Sequence, residues 1–384
     1  MFVRHVLAAG LLVLGCALGG ARAEGIDPIA GLLRAPLDVP IVLPDGTRSR
    51  LEGLVMRPDR PGRFPLVVMI HGTPRSEPGK LQVSLAAVSP ASFNTAAIAF
   101  ARRGYATVAV LRRGFGHSDG PYAEDYAAAS RCESRDYLPV ARTSGQDVAA
   151  ATATLRREPW ADPDRVLLLG VSTGGVAVTA ALAQGVPGVR GAIDFAGGRG
   201  SSAPDTVCNP GGLVATLGAL GRTARLPALW IYAENDHFFA PDLARRMHEA
   251  YVAAGAPADL AMQPPFAKDG HTLVSAAPEA LWWPSVEPFL TRLGLPTAAV
   301  IPLPDLAPLP PPPVRSEVCR TGFRTFQDAR TPAKAFAVSA GGGCGFVTQA
   351  RTPADAEANA LARCMAATPG PCRIYALGQV LVRE

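Results

Sequence analysis

The segment over residues 165–184, RVLLLGVSTGGVAVTAALAQ, constrains the fold of this chain more than any other part of the sequence. An apolar run that predicts a buried strand leads into Gly170-Val171-Ser172-Thr173-Gly174, and an alanine-rich run that predicts a helix follows. Glycines beside the serine allow two backbones to pass closely, and the tight turn lifts the serine hydroxyl above the edge of a sheet. We therefore predict a strand, a tight turn and a helix that together present Ser172.

Short apolar strands alternate with helices over most of the chain. The predicted strands are a hairpin over 38–57, turned at Asp45-Gly46, and single strands over 64–71, 106–111, 189–195, 228–232 and 259–262. The predicted helices cover 92–103, with Ser92 as N-cap, and 144–157, 241–254 and 281–293. Such alternation predicts an α/β fold, with a mostly parallel sheet and helices on both of its faces.

The N-terminus has the pattern of a signal peptide over residues 1–23. Arg4 and His5 precede an apolar run over 6–18, and Ala21-Arg22-Ala23 forms a cleavage site of small residues. The alternative is a lipoprotein, cut before Cys16. The apolar run is too short for a comfortable membrane span, and we predict no transmembrane segment elsewhere. We expect export to the periplasm or to the cell exterior.

Cysteine usage agrees with export, because an even number of cysteines in an exported chain predicts disulfides. We expect Cys132 to pair with Cys208. Two further bridges are expected within the C-terminal part of the chain, and the sequence leaves their connectivity open. The cysteines concerned are Cys319, Cys344, Cys364 and Cys372.

Composition and spacing argue against two classes of partner. Zinc is not expected among the C-terminal cysteines, because no histidine follows His271 and no C-x2-C pair occurs. We predict no metal and no other cofactor. The formal net charge of +5 is spread along the chain without a basic cluster among aromatic residues, which argues against a nucleic-acid partner.

Residues 296–316 hold eight prolines and predict a polyproline II spacer between two domains. We place a large α/β domain over 24–295 and a small α+β domain, stapled by disulfides, over 317–384. The small domain is predicted to contain strands over 335–339 and 344–349, a helix over 352–366 and a strand over 373–382. It is a candidate for contact with a component of the cell envelope.

Two side chains stand where a serine nucleophile needs its partners. A serine hydroxyl needs a base that takes its proton and an acid that orients the base. His271 follows the last predicted strand in Lys268-Asp269-Gly270-His271, and Asp236 follows the strand over 228–232. The chain order serine, acid, histidine makes Ser172, Asp236 and His271 the predicted triad. Glu234 and Asp194 are alternatives for the acid.

Two backbone N–H groups are needed to hold the oxyanion that forms in acyl transfer. Thr173, directly after the serine, supplies one, and Thr73 in His71-Gly72-Thr73-Pro74 is predicted to supply the other. The residues predicted to line the substrate pocket are His71, Phe115, Phe195 and Phe238. The arginines considered as contacts for an acidic substrate are Arg112, Arg113 and Arg199.

These pieces resemble the α/β-hydrolase superfamily, nearest to dienelactone-hydrolase-like and prolyl-oligopeptidase-like serine esterases of bacteria. The resemblance rests on the His71 loop, on the glycine-rich loop over 113–118, on 170–174, and on Asp236 and His271. Serine stands where the best-known members of the dienelactone-hydrolase branch carry cysteine, so activity on dienelactone is not implied. The C-terminal part resembles small cysteine-containing domains of unknown role in exported bacterial proteins.

The resemblance implies a serine hydrolase that cleaves a carboxylic ester through an acyl-enzyme, with a small-molecule ester or amide as substrate. One alternative is a serine peptidase or amidase that acts on small peptides. Another is a hydrolase-fold protein without catalytic activity that binds an envelope component.

Overall fold

The computed structural model describes residues 27–75, 81–122, 124, 131–368 and 370–382. The predicted signal peptide over 1–23 and the alternative lipoprotein cut at Cys16 lie outside these residues. Within the described ranges, no helix has both the length and the apolar character that a membrane span requires.

The larger part of the chain folds around an eight-stranded sheet, in the order β1-β2-β4-β3-β5-β6-β9-β10. The strands are β1 (Leu32–Val42), β2 (Arg48–Pro58), β3 (Phe64–Ile70), β4 (Ala106–Val110), β5 (Ala161–Val171), β6 (Val189–Phe195), β7 (Ser201–Ala203), β8 (Thr206–Val207), β9 (Ala228–Ala233) and β10 (Ala258–Gln263). The β1–β2 and β2–β4 pairs are antiparallel, and every other pair in this sheet is parallel. Strands β7 and β8 form a separate two-stranded ribbon.

Helices cover both faces of this sheet. They are α1 (Leu81–Ala86), α2 (Asn94–Ala101), α3 (Leu138–Leu155), α4 (Thr173–Gln184), α5 (Pro210–Gly221), α6 (Pro241–Ala253), α7 (Leu273–Ala276) and α8 (Glu279–Arg292). Successive side chains of β3 enter opposite cores: Val68 packs with residues of α3 to α6, and Val67 packs with residues of α2, α7 and α8. The predicted α/β sheet with helices on both faces is confirmed.

Most predicted elements of this part are found, with two corrections. Helix α2 begins at Asn94 after a 3₁₀ turn over Pro90–Phe93, and Ser89 caps that turn by accepting a hydrogen bond from Ala91 N at 3.3 Å, so Ser92 is not the N-cap. Helix α3 begins at Leu138 rather than at residue 144, with Pro139 in its first turn, where a missing N–H is tolerated. Helix α5 was not predicted, because its segment PGGLVATLGALG contains four glycines.

The C-terminal part forms a separate antiparallel sheet in the order β12-β11-β13-β14. Its elements are α9 (Glu317–Asp328), β11 (Ala335–Ser339), β12 (Cys344–Val347), α10 (Pro353–Ala367), β13 (Cys372–Leu377) and β14 (Val380–Leu381). Phe326 of α9 and Phe336 pack in one apolar cluster, and Ala360 of α10 and Ala337 pack in another, so the sheet lies between the two helices. The predicted small α+β domain is confirmed, and α9 is an addition to it.

Three disulfides link the described cysteines. Cys132 pairs with Cys208, as predicted. In the C-terminal part, one bridge joins α9 to β12 and the other joins α10 to β13, which answers the connectivity that the sequence left open. These bridges are Cys319–Cys344 and Cys364–Cys372.

The proline-rich segment over 296–316 has no helix or strand, yet it is not a free spacer. Tyr105 OH donates to Pro296 O at 2.7 Å in the large part, and Tyr375 OH donates to Pro310 O at 2.9 Å in the small part. The two parts also meet directly, because Arg34 donates to the carbonyl oxygen of Arg351 at 2.8 Å. The segment is therefore packed along its length, and the boundaries at 296 and 316 stay a prediction.

Replacing Cys132 and Cys208 together by serine is expected to lower the free energy of unfolding by about 2–4 kcal/mol, because a cross-link over a long separation restricts the unfolded chain most. The bridge spans 76 residues, whereas Cys364–Cys372 spans 8. Serine at both positions of the shorter bridge is the control and should cost less. Urea unfolding followed by far-ultraviolet circular dichroism measures both losses, because both parts of the chain contain helices and strands. Equal losses would contradict the expectation.

Candidate active site

Ser172 sits on the tight turn between β5 and α4 with φ +57° and ψ −122°. Its backbone N–H donates to Phe195 O at 3.0 Å, and its carbonyl oxygen accepts from Gly198 N at 3.1 Å and from Gly175 N at 2.9 Å. A residue with a side chain holds a positive φ at an energetic cost, so the surrounding contacts must maintain it. The backbone of Ser172 is therefore held by hydrogen bonds on both its N–H and its carbonyl group.

The glycines around this turn are required by close backbone contacts. A Cβ atom on Gly170 would lie 2.1 Å from Gly174 O, and one on Gly174 would lie 2.1 Å from Ile70 O. A Cβ on Gly72 would lie 2.9 Å from the Cβ of Ser172. Since none of these side chains would fit without displacing backbone or the serine, the glycines let the ends of β3 and β5 approach the start of α4.

Asp236 and His271 are 35 residues apart in the sequence and are in contact in the structure. His271 Nδ1 donates to Asp236 Oδ2 at 3.0 Å, and the other carboxylate oxygen accepts from Phe238 N at 2.7 Å and from Phe239 N at 2.9 Å. Both side chains are almost wholly buried. The carboxylate thus has a fixed orientation and leaves Nε2 of the imidazole available as a base.

The loops that carry the acid and the histidine are docked on each other. Asp269 Oδ1 accepts from His271 N at 3.0 Å and from His237 N at 3.1 Å, and Gly270 N donates to Asn235 O at 3.0 Å. A Cβ on Gly270 would lie 2.3 Å from the Cβ of Ala233, so only glycine fits there. The histidine is therefore positioned by backbone contacts as well as by Asp236.

Among the described residues, no hydrogen bond joins Ser172 Oγ to His271. Catalytic hydrogen bonds are commonly long in unliganded enzymes and tighten in the substrate complex. The structure brings the predicted acid and base together, and the pairing of the base with Ser172 stays a proposal.

The two alternative acids occupy different surroundings. Asp194 is buried at the end of β6, its Oδ1 has no hydrogen-bond partner among the described residues, and burial raises its pKa well above the ordinary value. Glu234 is exposed. Neither carboxylate bonds to a histidine in the described part of the chain, so the geometry favours Asp236 as the acid.

Asp236→Asn is expected to lower kcat/KM by about 10⁴-fold, because the amide cannot hold the imidazole in its working tautomer. Asp194→Asn is the matched control, since a neutral amide resembles the protonated carboxyl that burial favours at this site. We expect the control to keep kcat/KM within about 10-fold of the wild type. Ester hydrolysis measures both, and an equal loss in the two variants would remove the reason for choosing Asp236.

The two residues predicted to supply the oxyanion amides are adjacent. Thr73 Oγ1 and Thr173 Oγ1 are 2.8 Å apart, and Arg112 Nη2 donates to Thr173 Oγ1 at 3.1 Å. The hydroxyl pair ties the loop after β3 to the first turn of α4, so the two predicted amide donors belong to one connected unit.

The ring of His71 supports that loop through both of its nitrogens. Its Nδ1 donates to Gly72 O at 2.7 Å, and its Nε2 accepts from Arg112 N at 3.0 Å, which defines a neutral ring with both nitrogens occupied. Burial, together with the nearby charge of Arg112, lowers the pKa of His71 well below the ordinary value. The two hydrogen bonds of the His71 ring fix the backbone that carries Thr73.

The four residues predicted to line the pocket differ in exposure, and their role at the pocket stays a prediction. His71, Phe115 and Phe195 are all buried in the interior. Phe238 alone among the four is partly exposed, and its ring stacks on the imidazole of His271 with centroids 3.9 Å apart.

The three arginines considered for an acidic substrate are engaged within the protein. Arg112 and Arg199 are buried and both donate to Glu124, the latter at 2.9 Å, and Arg113 Nε donates to Asp147 at 2.7 Å. Burial alone would raise the pKa of Glu124, but the two guanidinium groups outweigh it and lower the pKa to about 2. These arginines hold the loops behind the site together and are not available to a substrate.

Arg75 is a residue of the site to which the sequence did not point. Its guanidinium carbon lies 3.4 Å from the centre of the Phe238 ring. The available signal was its position, since Arg75 directly follows the His71-Gly72-Thr73-Pro74 loop. Over the described ranges, no group of three or more His, Cys, Asp or Glu side chains is arranged to hold a metal ion.

A mostly parallel sheet with a serine on a strand–turn–helix at its edge defines the α/β-hydrolase fold, and the protein is a serine hydrolase of that superfamily. Residues 45–283 match the X-Pro dipeptidyl-peptidase (S15) family. The match spans more than half of the sequence, and the chain belongs to this family. No curated protein matches the chain.

Several solved structures have a similar chain course. A putative dienelactone hydrolase from Klebsiella pneumoniae subsp. pneumoniae has a TM-score of 0.44 at 16% identity, over 68% of this chain and 98% of its own. An esterase from Pyrococcus furiosus has a TM-score of 0.47 at 16% identity, over 67% of this chain and 90% of its own. An α/β hydrolase from Penicillium sp. has a TM-score of 0.48 at 16% identity, over 68% of this chain and 100% of its own.

Proposed function

We propose that the protein is an exported serine hydrolase that cleaves carboxylic esters through an acyl-enzyme on Ser172. One observation carries the proposal: Ser172 is held at a positive φ on a glycine-lined turn, directly beside the loop that bears Thr73. This is the arrangement that exposes a serine Oγ at the sheet edge and places backbone amides around it. The Asp236–His271 hydrogen bond supports it.

The reaction follows from the roles of these groups. Ser172 Oγ attacks the ester carbonyl carbon while His271 Nε2 takes the hydroxyl proton, and Asp236 stabilises the imidazolium that forms. The amides of Thr173 and Thr73 hold the oxyanion, and each such donor is worth roughly 3 kcal/mol in the transition state. His271 then gives its proton to the leaving alcohol. Water, activated by the same histidine, releases the acid and restores Ser172.

Cleavage of a peptide bond after proline is the second candidate, and membership of the X-Pro dipeptidyl-peptidase family favours it. A dipeptidyl-peptidase needs an anionic group for the free amino terminus of its substrate. Three carboxylates of the loops near the histidine are engaged within the protein: Asp236 by His271, Asp269 by two backbone amides, and Asp205 by His237 at 2.8 Å. We therefore favour ester hydrolysis over peptide cleavage as the function.

Export and the division into domains belong to the same proposal. Disulfides form and persist in oxidising compartments, and the three bridges support the predicted route to the periplasm or the cell exterior. We place the catalytic unit at 24–295, the packed connector at 296–316 and the disulfide-stapled domain at 317–384. The last remains a candidate for contact with the envelope.

A fluorophosphonate probe is expected to label the purified mature protein at neutral pH, because an activated serine attacks its phosphorus. Ser172→Ala should abolish labelling and lower ester hydrolysis by about 10⁴-fold or more. In-gel fluorescence and mass determination measure the labelling. Ser92→Ala, which removes a hydroxyl in the 3₁₀ turn before α2, is the matched control and should label like the wild type.

Unlabelled wild-type protein would refute the serine-hydrolase proposal, and labelled Ser172→Ala would show that another residue is the nucleophile. Short-chain 4-nitrophenyl esters and X-Pro 4-nitroanilides, compared by kcat/KM, then separate the two substrates. Cleavage of the anilides without ester hydrolysis would favour the peptidase.

A further inference from the structure

Arg75 is a fixed cation at the mouth of the proposed site. Its Nε and Nη2 donate to Ser201 Oγ at 3.1 and 3.0 Å, and Nη2 also donates to His237 O at 2.8 Å. Ser201 belongs to β7 and His237 to the loop after β9, so the guanidinium bridges three separate segments of the chain. A side chain held in this way loses little rotamer freedom on binding a ligand.

The guanidinium and the imidazole lie on opposite faces of one ring. Arg75 stacks on Phe238 with 3.4 Å between the guanidinium carbon and the ring centre, and His271 stacks on the same ring with centroids 3.9 Å apart and planes 11° apart. Two groups in contact with the centre of one ring cannot share a face. Arg75 is therefore one aromatic ring away from the catalytic histidine.

The charge of Arg75 has no ion-pair partner within the part of the chain that the structure describes. The nearest carboxylates that act on it are Asp269, Asp236 and Asp205, and each accepts hydrogen bonds from other groups. Of the donors on the guanidinium, the two on Nη1 have no acceptor among the described residues. Arg75 is also only half-buried, so these donors are within reach of a solute.

We propose that Arg75 is the anion subsite of this hydrolase, and that the preferred substrates are esters with a carboxylate near the scissile bond. The inference rests on the proposed function, because it names the substrate class of the same site. A carboxylate oxygen accepts a charge-assisted hydrogen bond from an Nη1 donor, and such a bond is shorter and stronger than one between neutral groups. Arg75 thus supplies the contact with an acidic substrate that was considered for Arg112, Arg113 and Arg199.

Isosteric pairs of esters test the subsite without changing the reacting bond. The first pair carries the charge on the acyl side: the 4-nitrophenyl monoester of adipic acid and the same ester of its monoamide. The second pair carries it on the alcohol side: the acetyl esters of 4-hydroxybenzoic acid and of 4-hydroxybenzamide. In at least one pair, the wild type is expected to favour the acid by about 10- to 100-fold in kcat/KM, the range of a hydrogen-bonded charge pair.

Substitutions of Arg75 assign that preference to its charge and shape. Arg75→Gln should bring the acid-to-amide ratio close to one, mainly through KM for the acid. Arg75→Lys should restore only part of the ratio, because the flexible ammonium lacks the separate Nε and Nη2 donors that fix the guanidinium to Ser201 and His237. Arg320→Gln, which removes an exposed arginine of α9, is the control and should keep the wild-type ratio. Salt should lower the ratio, since the subsite is half-exposed.

Two results would overturn the inference: no preference in the wild type for either acid, or an acid-to-amide ratio that stays unchanged in Arg75→Gln because acid and amide lose kcat/KM equally. The last result would make Arg75 a support for Phe238 and nothing more. Failure of the proposed function is distinguishable, because the wild type would then hydrolyse none of the four esters.

Discussion

The contact of backbone on backbone at the end of β5 is the constraint on which the rest of the site depends. Gly174 packs against Ile70 O, and Gly170 packs against Gly174 O, at distances where no side chain fits. These contacts force the chain to reverse sharply between strand and helix, and Ser172 takes a positive φ as a consequence. The hydroxyl is thus positioned by the packing of the sheet.

The other parts of the site are joined to this turn through polar contacts. The Thr73–Thr173 pair and the neutral His71 fix the loop after β3, and Arg112 connects both to Glu124. On the opposite side, Asp236 and Asp269 fix the loop of His271 by accepting backbone hydrogen bonds. The buried side chains of His71, Arg112 and Asp236 all have hydrogen-bond partners, which rigidifies the site before any substrate binds.

Local patterns were sufficient to predict most of the sheet and the order of the triad candidates. Two features follow from residues a few positions apart: the strand–turn–helix around Ser172 and the hairpin at Asp45-Gly46. The Cys132–Cys208 bridge follows from the number of cysteines. Helix α5 was not predicted, because glycine-rich segments have weak helix propensity. The tertiary packing of Leu213 and Leu217 stabilises the helix there.

What the sequence did not reveal are contacts between distant segments. Arg75 reaches a carbonyl 162 residues away, and Glu124 joins arginines that precede and follow it by 12 and 75 residues. Phe115 and Phe195 are buried, as aromatic residues near a buried turn commonly are, and their role at the pocket stays a prediction.

The central claim is that Ser172 forms the acyl-enzyme, and trapping that intermediate tests it most directly. Wild-type protein mixed with 4-nitrophenyl acetate, quenched with acid before the steady state and digested, should carry one acetyl group on the peptide that contains Ser172. Tandem mass spectrometry locates the group, and Ser172→Ala should carry none. An acetyl group on another residue, or ester turnover without any adduct, would contradict the account.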